Sequence, residues 1–357
     1  MIYVHVPFCR SFCTYCDFFS EICREGDRQA QEGYVRSLMA EISARKDEIE
    51  ATEAVDTLYV GGGTPSVLPP SFFRTLTATL GKSSYREFTV EVNPEDIVTR
   101  GKAYVMELLA CGVNRISMGV QSLDDGILKW MNRRHDSARA RQAYGLLRES
   151  GVKNVSLDVI FGLSHLSLEV LGETLGSIIE MRPEHISAYQ LSIEEGSALA
   201  RMVSSGLYHE ASQEQCARQY EYICHALAEA GYVHYEISNW ALPGFEARHN
   251  SAYWTRRAYV GLGPGAHSFD GRSRRSWNSE SLEGWTPESE ILSDAEIREE
   301  QIMLGLRTAA GISPDLCDPA VLARLESDGS LVPAADGNVR IPEEHFFISD
   351  AIIEELI

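Results

Sequence analysis

The sequence predicts an α/β protein built from βα units around a parallel sheet. Three observations carry that prediction. Short segments rich in β-branched residues alternate with amphipathic segments of helical length. Polar residues recur just after the strands, and a cysteine-rich loop follows the first of them. Such alternation belongs to architectures in which helices cover a parallel sheet, with ligand sites at the strands' carboxyl ends.

The opening segment Tyr3-Val4-His5-Val6 reads as a strand running into Cys9, Cys13 and Cys16. A helix is expected over 29–51, then a strand over 55–60 that ends in Gly61-Gly62-Gly63-Thr64-Pro65. Helices near 70–80, 100–111, 137–150 and 167–181 precede strands at 87–92, 115–120, 155–160 and 185–191. A barrel-like sheet and an open doubly wound sheet both satisfy this order. A helix near 209–230 begins a less regular region, with glycine- and aromatic-rich stretches at 235–259 and 260–269. From about Pro287 the chain is expected to turn helical again, and segments 328–332 and 338–342 suggest a small hairpin before a last helix. That ending is winged-helix-like.

At 357 residues the chain can bury one large core and carry a smaller appended domain. A formal charge of −20 argues against nonspecific nucleic-acid binding, and Arg256-Arg257 and Arg272 to Arg275 read as solvated loops. The N-terminus lacks signal-peptide features, and no apolar run reaches membrane-spanning length. Of eight cysteines three are crowded near the start, whereas Cys111, Cys216, Cys224 and Cys317 are scattered. This suits a reducing cytoplasm and one metal site, with Cys216 and Cys224 as packing residues on a helix.

The CxxxCxxC spacing supplies three thiolates. An iron–sulfur cube held this way keeps one iron open, whereas a zinc tetrahedron needs a fourth ligand, for which Cys23 and His5 are available. The Gly61 to Pro65 loop lacks the residues of a phosphate loop and the spacing of a dinucleotide fingerprint. It reads either as a structural turn or as a close backbone approach to a zwitterionic ligand. Glu91, Gln121, Arg133 and Asp158 follow successive strands; the Asp158 carboxylate suits ribose hydroxyls and Arg133 suits a carboxylate. His249-Asn250-Ser251-Ala252-Tyr253-Trp254 reads either as an aromatic-packed loop or as an axial heme ligand among rings that cover a macrocycle. His267 reads as a polar contact or a structural histidine.

Taken together these segments resemble the radical S-adenosylmethionine (SAM) enzymes, and within them the coproporphyrinogen III oxidase-like group. The cysteine triplet beside Tyr3, the glycine loop, Asn114 to Gln121, Asn132-Arg133 and Asp158 to Gly162 match in order, and Leu306 to Ile312 resembles a signature of the group's C-terminal domain. The resemblance implies a partial (βα)6 TIM-like barrel over 1–200, a connecting region over 201–286 and a C-terminal helical, winged-helix-like domain over 287–357. It implies a 4Fe-4S cluster on Cys9, Cys13 and Cys16, and SAM lined by Tyr3, Gly62, Gly63, Thr64, Glu91, Gln121, Arg133 and Asp158, with Ile160 near the adenine.

Two functions within the group compete. Coproporphyrinogen III dehydrogenases carry a further cysteine where this chain has Phe18, and a longer N-terminal extension than the two residues before Tyr3. HemW-type heme chaperones have phenylalanine there and an HNxxYW motif, matched here from His249 to Trp254. That resemblance implies heme binding with His249 as ligand, and delivery of heme to respiratory hemoproteins at the membrane. It also implies a cytoplasmic location with membrane contact only through clients, a flavodoxin-like reductant, no nucleic-acid partner, and a homodimer as one assembly.

Overall fold

The six parallel strands appear where the β-branched runs place them. The protein's structure, a computed structural model, describes residues 1–24, 27–82, 84–282 and 284–357. In chain order its strands are β1 (Ile2–Val6), β2 (Phe8–Cys9), β3 (Glu21–Ile22), β4 (Thr57–Gly62), β5 (Glu87–Val92), β6 (Arg115–Gln121), β7 (Val155–Phe161) and β8 (His185–Gln190). There follow β9 (Val233–Glu236), β10 (Asn239–Ala241), β11 (Val260–Leu262), β12 (His267–Phe269), β13 (Arg274–Asn278), β14 (Pro287–Ile291), β15 (Val332–Pro333) and β16 (Val339–Arg340).

Strands β1, β4, β5, β6, β7 and β8 lie side by side in that order, all parallel. The order never reverses. A doubly wound sheet has a reversal point, whereas neighbour-to-neighbour succession is the rule of a βα barrel. The sheet extends on one side by β11, parallel to β1, and on the other by β10 and β9, antiparallel to β8 and to each other. It ends at β11 and β9, so the barrel is partial. Residues 201–286 thus add three strands to the sheet of residues 1–200.

Helices pack outside through apolar stripes. The helix Pro70–Leu80 buries Phe72, Phe73 and Leu76, each burial stabilising by about 2 kcal/mol, and stops at Gly81 with φ 68°. The helix expected over 29–51 is broken into Arg28–Ala44 and Lys46–Ala51. At the break the Arg45 guanidinium donates to Gly261 O (2.8 Å) and Ser268 Oγ (3.0 Å), tying this helix to β11 and β12.

The expectation of helix from Pro287 is corrected. Pro287 heads the exposed strand β14, which pairs antiparallel with β13. The helix Asp294–Gly305 starts only after Ser293, whose side chain and that of Glu296 form a capping box. Here the cap was the better start signal, and proline suits an edge strand. Strands β15 and β16 form the small terminal hairpin, between the helices Pro319–Ser327 and Ser349–Glu354. Among the described residues no helix is long and apolar enough to cross a membrane.

Candidate cofactor site

The carboxyl ends of the parallel strands open into a cavity of about 970 Å³, lined by Cys9, Cys13 and Cys16 among others. The loop carrying them is pinned from below. Thr14 N donates to Met131 O (3.1 Å), Thr14 Oγ1 to Trp130 O (2.8 Å), and Asn132 Nδ2 to Phe12 O (2.7 Å). Cys9 Sγ lies 3.4 Å from Thr64 Oγ1, and Arg133 Nη1 donates to Cys13 Sγ at 3.2 Å. Burial pushes the Cys9 thiol up and that of Cys16 up to about 12. These thiols need a metal's charge to hold them as thiolates.

The glycine loop is a turn whose close approach is to the chain's own cysteine loop. Gly62 has φ 104°, and a Cβ there would lie 2.6 Å from the His5 ring. At Gly63 a Cβ would meet Phe8 O at 2.8 Å, because Gly63 N and Thr64 N donate to Val6 O and Phe8 O (2.8 and 2.7 Å). Only glycine lets the end of β4 run against the cysteine loop this closely.

Glu91 accepts from Tyr59 Oη (2.7 Å) and Gly62 N (3.1 Å), and burial raises its carboxyl to about 7. Asp158 accepts from Ser117 Oγ at 3.3 Å, and its carboxyl is likewise raised by burial. Gln121 follows a register shift in β6 and has φ 68°, so the strand's last side chain is re-aimed. Its Oε1 is buried without a hydrogen-bond partner, as is Arg133 Nε, while Arg133 Nη2 donates to Gly119 O (2.6 Å). Gly62, Gly63, Thr64, Glu91, Gln121, Arg133, Asp158 and Ile160 all line the cavity.

Five other candidates, Tyr3, His5, Cys23, His249 and His267, do not line it. Tyr3 Oη pairs with His5 Nδ1 (3.1 Å), and His5 Nε2 faces Phe19 O (2.8 Å), so both ring nitrogens of His5 are engaged. Cys23 is buried and accepts from Gln31 Nε2 at 3.1 Å. Neither His5 nor Cys23 therefore completes a zinc tetrahedron with the triplet.

His249 lies at the other end of the barrel. It sits on the short helix Arg248–Trp254, whose first two N–H groups donate to the Glu87 carboxylate at 2.7 and 3.1 Å. Its Nδ1 meets Thr57 Oγ1 (2.9 Å), its Nε2 meets Tyr253 Oη (3.1 Å), and its residue is 1% exposed. Burial holds this imidazole at about 3, hence neutral. Thr57 and Glu87 begin their strands, so the helix forms the barrel's floor. Asn250, the next residue, lines the cavity; His249 lies behind it.

Sequence reasoning missed Arg115 and Tyr59 in the lining. Arg115 is 2% exposed, its Nη1 lies 3.5 Å from Thr89 Oγ1, and its Nε has no partner. An arginine heading a largely buried strand was the available signal.

The Radical SAM superfamily profile matches residues 3–178. A heme chaperone HemW of Lactococcus lactis is 34% identical over 323 residues, covering 87% of this chain and 82% of that protein. A second, from Bacillus subtilis, is 32% identical, covering 87% and 84%. This chain belongs to the radical SAM superfamily and is closely related to its HemW/HemN-type proteins of heme and porphyrin metabolism. Among solved structures, the coproporphyrinogen III oxidase HemN from Escherichia coli superposes with a TM-score of 0.80 at 20% identity, covering 99% of this chain and 89% of that one. The partial radical SAM barrel followed by a C-terminal helical region is thus the fold of HemN.

Membership implies the iron–sulfur cluster and SAM typical of radical SAM proteins. The rim fits both groups. Three thiols share one cavity with Gln121 and Arg133, each of which keeps one buried side-chain atom without a hydrogen-bond partner, and the glycine loop packs directly against the cysteine loop.

Proposed function

We propose that this chain is a heme carrier that takes up heme and hands it to respiratory hemoproteins, rather than a porphyrinogen-converting enzyme. The observation that carries the reading is Phe18. It stands where the converting enzymes have a cysteine, and it is 66% exposed in the cavity lining, with Phe12 beside the same cavity 51% exposed. Two aromatic rings left in water at the mouth of a large cavity suit a flat apolar ligand; covering them returns about 25 cal/mol for each Å² removed from water. The relatives' name, heme chaperone, supports the same reading.

In this proposal Cys9, Cys13 and Cys16 hold a 4Fe-4S cluster. Gly62, Gly63, Thr64 and Glu91 receive the amino-acid end of SAM, Arg133 its carboxylate, Gln121 and Asp158 its ribose, and Ile160 its adenine. When bound, cluster and SAM supply one-electron cleavage of the sulfonium, and the protein supplies orientation and exclusion of water. Tyr3 acts from behind this shell, through Tyr59 and Glu91. His249 enters as a heme ligand only in a conformation that frees Nε2 from Tyr253 and the helix Arg248–Trp254 from Glu87; in the closed floor it is a structural residue. A flavodoxin-like donor, a hemoprotein acceptor and a homodimer belong to the same proposal.

The test is a heme titration of the reconstituted protein followed by its absorption band. Phe18→Ser and Phe12→Ser are expected to weaken heme binding by on the order of tenfold each. Unchanged affinity in both variants would overturn the rim as the heme contact.

A further inference from the structure

Away from the cavity, three side chains from distant parts of the chain meet at the seam between the sheet's antiparallel edge and the C-terminal segment. Cys224 comes from the helix Gln213–Glu229, His234 from β9, and Glu343 from the 3-10 turn Glu343–Ile348. One ligand atom from each lies within 4.8 Å of the others. His234 Nδ1 and Glu343 Oε1 are 3.0 Å apart, close to the spacing of two donors sharing one ion.

The imidazole is oriented as a ligand's would be. Tyr220 Oη donates its proton to Ile237 O at 2.7 Å. His234 Nε2 faces that same carbonyl and the tyrosine oxygen, each at 3.4 Å, so the tautomer with its proton on Nε2 has acceptors to donate to. In that tautomer the Nδ1 lone pair points at the Glu343 carboxylate; in the other, Nδ1–H donates to it and lowers its carboxyl below the ordinary value. Only a proton or a metal ion between them makes that contact favourable. A ring N–H given to a backbone carbonyl while the other nitrogen faces a carboxylate and a thiol is the outer-shell pattern of metal-binding histidines.

The ring is also locked in place. It stacks on Trp240 at 4.0 Å between centroids with planes 14° apart, and Phe346 meets it edge-on at 5.0 Å. Burial and the Glu343 charge push the Cys224 thiol up to about 12, so as a metal-free group it is a protonated thiol with no cation to hold it. The Glu343 side chain is 45% exposed, which leaves a solvent side for a fourth ligand from water.

We propose that Cys224, His234 and Glu343 form a binding site for a borderline-soft divalent cation of the zinc class, which staples the C-terminal segment to the barrel's edge. One sulfur, one nitrogen and one oxygen donor plus water make a four-coordinate set suited to zinc and unsuited to calcium or magnesium. Binding exchanges the thiol proton for the metal, and the proton goes to solvent. Cys224, read from its helical setting as a packing residue, thus becomes a ligand.

The test uses the full chain with Cys9→Ala, Cys13→Ala and Cys16→Ala, so that the cluster loop contributes no thiolate. Zinc chloride is titrated against a chromophoric chelator, and cobalt chloride is added separately to read the thiolate-to-cobalt band in the near ultraviolet. One zinc per chain, a cobalt–thiolate band and a higher melting temperature with zinc are expected. Cys224→Ser should abolish the band and the zinc-dependent rise in melting temperature. Glu343→Gln, at a half-exposed position where the amide can still bond His234, should weaken zinc binding by at least about tenfold. Far-ultraviolet circular dichroism unchanged in both variants establishes that the fold is kept. No stoichiometric zinc, or binding unaffected by both substitutions, would overturn the site and leave a His–Glu hydrogen bond beside a packing thiol.

Discussion

Replacing His249 by alanine tests the floor of the barrel. The substitution removes a ring that contacts Tyr59 at 5.0 Å between centroids and leaves Thr57 Oγ1 and Tyr253 Oη without their partner. Each buried polar group left unpaired costs about 1–3 kcal/mol, and the void adds the loss of packing, so about 4 kcal/mol is expected at pH 7. His249→Gln, which can still bond one of the two oxygens, should cost about 1–2 kcal/mol. The penalty is also pH-dependent with a fixed sign. The folded imidazole sits at about 3 against an ordinary 6.5, so its contribution is present above 6.5 and is lost as pH falls towards 3. At pH 5 about 2 kcal/mol of it is gone, and the alanine penalty halves. Equilibrium urea unfolding of the reduced apo chain at pH 7 and pH 5 measures both numbers. A penalty under about 1 kcal/mol at pH 7, or one unchanged at pH 5, would refute the buried, doubly bonded histidine. A heme band lost in His249→Ala is therefore evidence of ligation only when compared at equal folded fraction, with His249→Gln as the companion.

Three further outcomes follow from the rim. Gly63→Ala places a methyl 2.8 Å from Phe8 O, so iron and sulfide content after reconstitution should fall, with about 1–3 kcal/mol of stability lost. Glu91, raised to about 7 in the folded chain, contributes stability that is present below 4.5 and lost as pH rises through 7. Glu91→Gln should therefore gain about 2–3 kcal/mol on wild type between pH 5 and pH 8 in the metal-free protein, read from unfolding midpoints. Phe18→Ser should leave stability within about 0.5 kcal/mol and iron content unchanged while weakening heme binding, because the ring is two-thirds exposed and Phe18 meets the Cys16 thiol through its backbone, which serine keeps.

The parallel core was legible because its strands are β-branched runs whose ends carry the polar residues that the cavity gathers. Strand 87–92 and helix 70–80 fall where periodicity puts them. Periodicity alone left barrel against doubly wound sheet open, because the choice rests on strand order, which no local pattern encodes; the family resemblance supplied the partial barrel, and the strand order agrees. Strands β9, β10 and β11 are three or four residues long, too short for a period to register. The floor was hidden for a different reason. His249 announces itself by its aromatic neighbours, but its burial depends on Thr57 and Glu87, which begin strands far earlier in the chain. The same holds for Cys224, whose helical spacing says packing and whose partners His234 and Glu343 arrive from other elements.

The central claim, heme handling rather than porphyrinogen conversion, is tested most directly on one anaerobic, reconstituted and reduced preparation supplied with SAM and coproporphyrinogen III, then with heme and an apo-hemoprotein. Heme handling predicts no release of carbon dioxide, a stable heme absorption band, and transfer of that heme to the acceptor. Sustained catalytic formation of protoporphyrinogen IX would contradict it.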